Sequence, residues 1–484
     1  MNLLKDHLIS LKPLQLFWGL SIITLMSILT SIYIEKTVIM LIPLVLLVAF
    51  FISIYYEFFY WVLIGCIPIS IVHDFNKSLS TDFPTEFLCI ALTGMFWIDF
   101  LVRKREDILP ILKHKITLIL LGLFIWAIIT SITAQLHTIA FKYTLAKTWY
   151  ITSYFLLTFR MIKTTQDIKR LFWVLFLPLL FTTLYSFIRT ALGHFNFELT
   201  SEFSLPFYEN HVLYATTMSI FLPFIFLARK WYEEGTLIRL FLNLSILLFL
   251  LAIYFSYTRA CYIALIVSLG VILVIKMRKI ILSMTLVTIL VASTLIYFSH
   301  NYYYLKLAPD FTKTVMHPEF KDHVIATFQG KDASSMERVN MWVSVFRMSV
   351  DHPWFGVGPN NFPFFYKPYS VLYFKTWVSD NPLNLSCHNY FWLMLAEQGW
   401  IGMILFLALI FLIYYYCQKN YTETKNQDYK LILIAISASF TIFLVNLIFS
   451  DLVENSKNGS LFFIILALLV RVEVWNQLNN KSHE

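Results

Sequence analysis

The residues of this chain best suited to chemistry stand at the edges of long apolar runs. His388 and Asn389 open a run that continues to Tyr416. Arg259 lies in Ser256-Tyr257-Thr258-Arg259-Ala260 between two runs, Arg189 ends another, and His211 opens a fourth within Glu209-Asn210-His211. An imidazole titrates near neutral pH and can orient or deprotonate a hydroxyl. A guanidinium is planar and always charged, and it grips phosphate oxygens through two bonds at once. Plainer roles exist for each. The His388-Asn389 pair can cap a helix, and an interfacial arginine such as Arg189 can snorkel its charge to lipid headgroups.

Other chemistries find little support. The sequence has no GxxxxGK[ST], HExxH or GxSxG, the motifs of phosphate-cradling loops, zinc helices and nucleophile elbows. His211, His317, His323, His352 and His388 share no ligand-like spacing. The neighbours Asp351-His352 and Asp322-His323 read as solvated loop residues. Five cysteines (Cys66, Cys89, Cys261, Cys387, Cys417) are scattered without a CxxC pair, which suggests neither disulfides nor zinc.

What positions these groups follows from composition. The 484 residues are 58% hydrophobic and only 14% charged, with mean hydropathy +0.69. A soluble domain carries about 25% charged residues, so this is a membrane protein. The net charge of +8 comes from short basic clusters between apolar runs, not from one basic face, and a nucleic-acid partner is therefore not expected.

A membrane span needs about 20 apolar residues. Runs near 14–33, 37–55, 58–73, 84–101, 116–134, 143–159, 171–189, 210–228, 237–255, 260–275, 280–298, 388–416, 431–449 and 458–472 meet that need. Only Glu57 separates the second from the third, so the expected fold is all-α and polytopic with 12–14 transmembrane helices. The first run lacks a following cleavage site and reads as a retained helix. Placing the N-terminus in the cytoplasm puts Arg103, Lys104, Arg160, Lys163, Arg229, Lys230, Lys276, Arg278, Lys279, Lys419 and Lys425 inside. The short outer segments then hold few basic residues, as the positive-inside rule asks. Both termini are expected in the cytoplasm, with an even number of spans. Residues 1–298 would hold the first eleven helices, 299–387 one long outer loop, and 388–484 the last helices and a cytoplasmic tail. In that loop Val339, Trp342, Val343, Phe346 and Val350 recur at helical spacing, which predicts an amphipathic helix from Met336 to Val350.

The pattern His388-Asn389, nine residues, Gly399, two residues, Gly402 resembles the signature of the bacterial O-antigen ligase and O-antigen polymerase superfamily. Preceding it, Glu337-Arg338-Val339-Asn340-Met341-Trp342 and 351–362, with Asp351-His352-Pro353 and Gly356-Val357-Gly358-Pro359-Asn360-Asn361-Phe362, look like that family's loop motif. The Ser-Tyr-Thr-Arg context of Arg259 resembles the family's arginine hairpin. Gly399 and Gly402 read as small residues that let a neighbouring helix approach.

The resemblance implies a GT-C-like helical architecture and a glycan donor carried on undecaprenyl diphosphate. It implies transfer of the glycan's reducing end to an acceptor hydroxyl at the periplasmic face of the inner membrane, inverting, without metal or cofactor. Arg259 would hold the diphosphate and His388 would act on the acceptor hydroxyl. Arg189, His211, Arg338 and Asn389 would contact substrate. The acceptor is lipid A–core for a ligase and a second lipid-linked glycan for a polymerase, and the motifs fit both. The closeness of the His-Asn pattern leans toward ligase, and the number of spans toward polymerase. A transporter of lipid-linked glycan is the competing class, although no internal repeat points to one. A non-catalytic membrane scaffold is the plainest alternative.

Overall fold

Backbone in hydrocarbon must satisfy its own N–H and C=O groups, and apolar runs of this length do so as helices. The computed structural model describes residues 13–34, 51–76 apart from 53, 79–102, 108–300, 333–371 and 385–481, with single residues 43, 303, 379 and 381. Most of the run 37–55, the basic residues Lys5, Lys12, Lys36, Lys77, Arg103, Lys104 and Arg105, and His317, Asp322 and His323 lie outside the described residues.

The chain divides into two units, 1–106 and 107–484. The first holds α1 (Pro13–Ile34), α2 (Tyr56–Cys66), a hairpin of β1 (Ile71–Asn76) and β2 (Leu79–Phe83), and α3 (Thr85–Val102). Its backbone does not reverse at Glu57. Tyr55 N donates to Phe51 O at 2.9 Å and Phe59 N to Tyr55 O at 3.1 Å, so the two apolar runs join there through helical bonds. Glu57 falls in the first turn of α2, where the helix N-terminus favours a carboxylate. The third expected run is therefore an 11-residue helix, followed by antiparallel strands with Ile71 opposite Phe83.

The second unit is a helical bundle. In order come α4 (Lys115–Thr133), α5 (His137–Tyr150) extended by a π-helical turn and a short helix to Met161, α6 (Thr165–Leu192) and α7 (His211–Arg229). Then follow α8 (Leu237–Phe255), α9 (Arg259–Lys276), α10 (Ile280–Ser299), α11 (Ala333–Asp351), α12 (Tyr390–Glu423), α13 (Gln427–Leu447) and α14 (Ser456–Lys481). Ten helices among the described residues are long and apolar enough to cross a membrane: α3, α4, α6 to α10 and α12 to α14. The fold is all-α and polytopic, with one short hairpin among the described residues.

Burial separates centre from rim. The apolar windows of α7 and α13 are 72% buried and that of α14 78%, against 6% for α10. Helices α9 and α7 both pack against α13. Tight connections at Ile162–Thr164, Lys230–Thr236, Met277–Lys279 and Thr424–Asn426 form one end of this unit, and most of its basic residues gather there. The opposite end carries the connections after α4, α6, α8, α10 and α13.

Helix α11 covers the predicted amphipathic stretch and is three residues longer at its start. Its buried side differs from the expected one. Val343 is buried, but Val350 is 77% exposed and Met341, Val345 and Met348 are almost fully covered. The cause is a second neighbour: besides packing on α12, α11 meets the 366–371 turn, where Arg347 Nη1 donates to Tyr369 O at 3.0 Å.

Candidate active site

Asn389, rather than His388, caps α12. Its Oδ1 accepts from Trp392 N at 3.1 Å, and its Nδ2 donates to Ile448 O at 3.0 Å, just beyond α13. Both ends of the amide are thus committed to structure. The cap leaves His388 one residue outside the helix in a left-handed conformation, φ 50°, with its N–H donating to Ser386 Oγ at 3.3 Å. Non-glycine residues rarely adopt this region, and such positions concentrate at functional sites.

Helix α11 docks against that turn. Trp342 Nε1 donates to Cys387 O at 2.9 Å, and the Phe346 ring meets Trp392 edge to face with centroids 4.5 Å apart. Arg338 lies one turn before Trp342 and so on the same face. Arg338 is in electrostatic reach of His388. Burial, then the Arg338 guanidinium, push the His388 imidazole below its ordinary pKa, and Asp451 opposes them. His388 is consequently a neutral base at neutral pH.

Below this turn α12 breaks. Gly399 has φ 67° and ψ −171° inside the helix. It lies nine residues beyond Tyr390, roughly 14 Å along the axis. The groups freed by the break find partners in the segment that follows α11. Val357 N donates to Ala396 O and Gly358 N to Glu397 O, both at 2.9 Å, while Trp400 N donates to Pro353 O at 2.8 Å. Gln398 O accepts from Trp126 Nε1 at 2.9 Å. Non-helical backbone at such depth is tolerated only where protein satisfies it, as here. Gly399 therefore admits a loop, not a neighbouring helix. A Cβ on Gly399 would lie 2.2 Å from Trp354 O, and one on Gly356 2.5 Å from Ala396 O.

The arginine hairpin is built separately. Thr258 precedes α9, making Arg259 its first residue. Ser256 Oγ accepts from Thr258 N at 3.3 Å, and Tyr257, at φ 55°, sends its hydroxyl to Phe195 O at 2.8 Å. Arg259 thus stands at a helix N-terminus, where freed N–H groups and the dipole add to its own charge. His211 is next door: its carbonyl accepts from Thr258 Oγ1 at 3.5 Å, and its Nδ1 lies 2.7 Å from Ser201 Oγ. Arg189 is used in the same region to hold the segment after α6. Its guanidinium donates to Leu205 O and lies over the Tyr185 ring at 5.6 Å.

One side chain connects the two halves. Asn446 Oδ1 faces Cys261 Sγ and Thr216 Oγ1, each at 3.4 Å, two residues beyond Arg259 and within α7. Two residues after Asn446, Ile448 O receives the Asn389 amide. His388, Arg338, Arg259 and His211 thus share the end of the bundle opposite its basic connections.

Sequence reasoning missed three acidic residues here. Glu397 is 5% exposed, and its carboxylate accepts from Asn360 N at 2.7 Å and Phe362 N at 3.2 Å. An acid inside an apolar run is itself a signal that could have found it. Asp451 faces His388 from the α13–α14 connection. Glu454, in that connection too, pairs with Lys147 at 3.0 Å and accepts from Tyr143 Oη at 3.1 Å. Neither could be placed without the fold.

A polytopic helical membrane protein with a histidine and arginines gathered at one end defines the class. Residues 244–407, from α8 into α12, match the family model described as O-antigen ligase. That segment, a third of the chain, contains Arg259, Arg338, His388 and both glycines of the His-Asn pattern, and it supports the O-antigen ligase and polymerase superfamily. No curated protein matches the chain.

Proposed function

We propose that this protein transfers a glycan from undecaprenyl diphosphate to an acceptor hydroxyl at the periplasmic face of the bacterial inner membrane. The observation that carries the reading is that the matched segment brings Arg338 to His388 and sets Arg259 at a helix N-terminus on the same end. In this reading the acceptor oxygen bonds the anomeric carbon while the bond from that carbon to the phosphate oxygen breaks. The hydroxyl proton passes to neutral His388, and undecaprenyl diphosphate leaves with its negative charge held by Arg259. A single displacement of this kind inverts the anomeric centre. Electrostatic stabilisation of the leaving group by preorganised cations is the main catalytic contribution.

Arg338 would contact substrate phosphate beside His388. His211 and Arg189 would act from the donor side, with Arg189 also holding the segment above. Asn389 would serve chiefly by fixing the turn that presents His388. The gathering of basic residues at the far end supports a periplasmic site and a cytoplasmic C-terminus. The layout of membrane spans up to residue 298, a periplasmic loop over 299–387 and final spans with a cytoplasmic tail, in a GT-C-like arrangement, belongs to the same proposal.

We favour a ligase acting on lipid A–core, on the closeness of the pattern His388-Asn389, nine residues, Gly399, two residues, Gly402. The test is purified protein in liposomes with undecaprenyl-diphosphate-linked glycan and lipid A–core, in the presence of EDTA. Capped lipid A–core is the expected product. Lengthened lipid-linked glycan from donor alone would replace the ligase with a polymerase.

A further inference from the structure

The segment that links α11 to its surroundings is fastened to α12 at two levels. At the upper level Trp342 holds Cys387 O, next to His388. At the lower level the freed carbonyls of Ala396 and Glu397 take Val357 N and Gly358 N. A buried carboxylate is then added to a join already made by backbone. Glu397 closes over Asn360 N and Phe362 N, gathering the end of the 353–362 loop onto the same helical turn. Two N–H groups thus end on one buried carboxyl group. Burying such a group is expensive unless it is used.

We propose that Glu397 is a positioning residue: by pinning the 360–362 turn to α12 it fixes the axis of α11 and so holds Arg338 against His388. It touches no substrate. Helix α11 is held above by the Trp342 bond and the Phe346–Trp392 ring contact, and below by the loop joined to α12, so its tilt depends on both. Release of Asn360 and Phe362 would loosen the far end of the lower join, and Arg338 would shift from the His388 side chain. The inference rests on the glycosyltransfer reading.

The experiment is kcat against pH in the liposome transfer assay for wild type, Glu397→Leu, Glu397→Gln, Arg338→Ala and the double variant Glu397→Leu/Arg338→Ala. The groups facing His388 are Arg338 on α11 and Asp451 on the α13–α14 connection. With Arg338 displaced, Asp451 remains, and the acid limb of kcat moves to higher pH. Glu397→Leu should lower kcat roughly 100-fold, the scale of an ångström-level misplacement. It should move the acid limb in the same direction as Arg338→Ala. The double variant should be no worse than the poorer single one, because residues acting as a unit do not add. Glu397→Gln keeps an acceptor oxygen and should recover part of the rate. Should Glu397→Leu not accumulate, Glu397→Gln alone decides by its acid limb. An unmoved acid limb in both Glu397 variants, or full additivity with Arg338→Ala, overturns the inference while leaving the reaction intact. Absence of transfer in the wild type would instead remove the reading on which it rests.

Discussion

Trp342 Nε1 donates to the carbonyl of Cys387 at 2.9 Å, which fixes α11 one residue away from His388. The bond spans 45 residues of sequence, and it turns an amphipathic helix in an outer loop into one wall of the candidate site. Trp342→Phe keeps the ring against α12 but removes the donor. Loss of one such bond costs about 1 kcal/mol. The variant should be present in the membrane at wild-type level with transfer reduced roughly tenfold, since small displacements beside the reacting groups are costly. Wild-type turnover would mean that the indole is packing alone.

Arg338 stands on the same face one turn earlier. Arg338→Ala should lower turnover without lowering the amount of protein in the membrane, measured by quantitative blotting beside the transfer assay. Unchanged activity would mean that Arg338 takes no part in the reaction.

His388 titrates below its ordinary value because burial and the Arg338 charge disfavour the imidazolium, with Asp451 opposing. The group is therefore already neutral at pH 7, and the base form is lost only as pH falls below the ordinary histidine value of about 6.5. The predicted kcat profile is flat around neutrality and falls on the acid side. In Arg338→Ala the fall should begin at higher pH. A profile that instead rises as pH drops through this window would show that the imidazolium is the active form.

Gly399 and the loop around Trp354 test the break in α12. Gly399→Ala meets both a left-handed backbone and the Trp354 carbonyl, 2.2 Å from the new Cβ. Strain and overpacking together predict a loss of about 2–5 kcal/mol, read as a fall in melting temperature in detergent. Gly270, on α9, has open space at the same position and is the control: Gly270→Ala should melt like wild type.

Much of the fold was legible because a membrane reduces it to apolar length. The runs at 237–255, 260–275 and 280–298 coincide with helices to within a residue or so, and α11 was found from its spacing alone. Where reading failed, the cause was a non-local partner. Glu57 read as the one divider between two runs because its place in the first turn of a helix is invisible in a hydropathy count. Gly399 read as a point of helix approach, because a small residue in an apolar run has that meaning unless a loop is known to reach it. Only the fold brings Pro353 O to the Trp400 N–H and Val357 N to the Ala396 carbonyl that the break frees. His388 and Arg259 were recognisable from their motifs. Asp451, Glu397 and the Asn446 link between the two halves lie too far apart in sequence to be paired by spacing.

The reading stands or falls on whether donor binding and transfer can be separated. Purified wild type, Arg259→Lys and His388→Ala are each given lipid-linked glycan and acceptor, and bound donor is measured beside the glycosidic product. Lysine keeps the charge of Arg259 but loses the two-bond fork, so donor binding and turnover should both weaken. His388→Ala should abolish transfer while binding donor nearly as well as wild type. Wild-type protein that carries glycan lipid across the vesicle membrane yet forms no glycosidic bond would contradict the account.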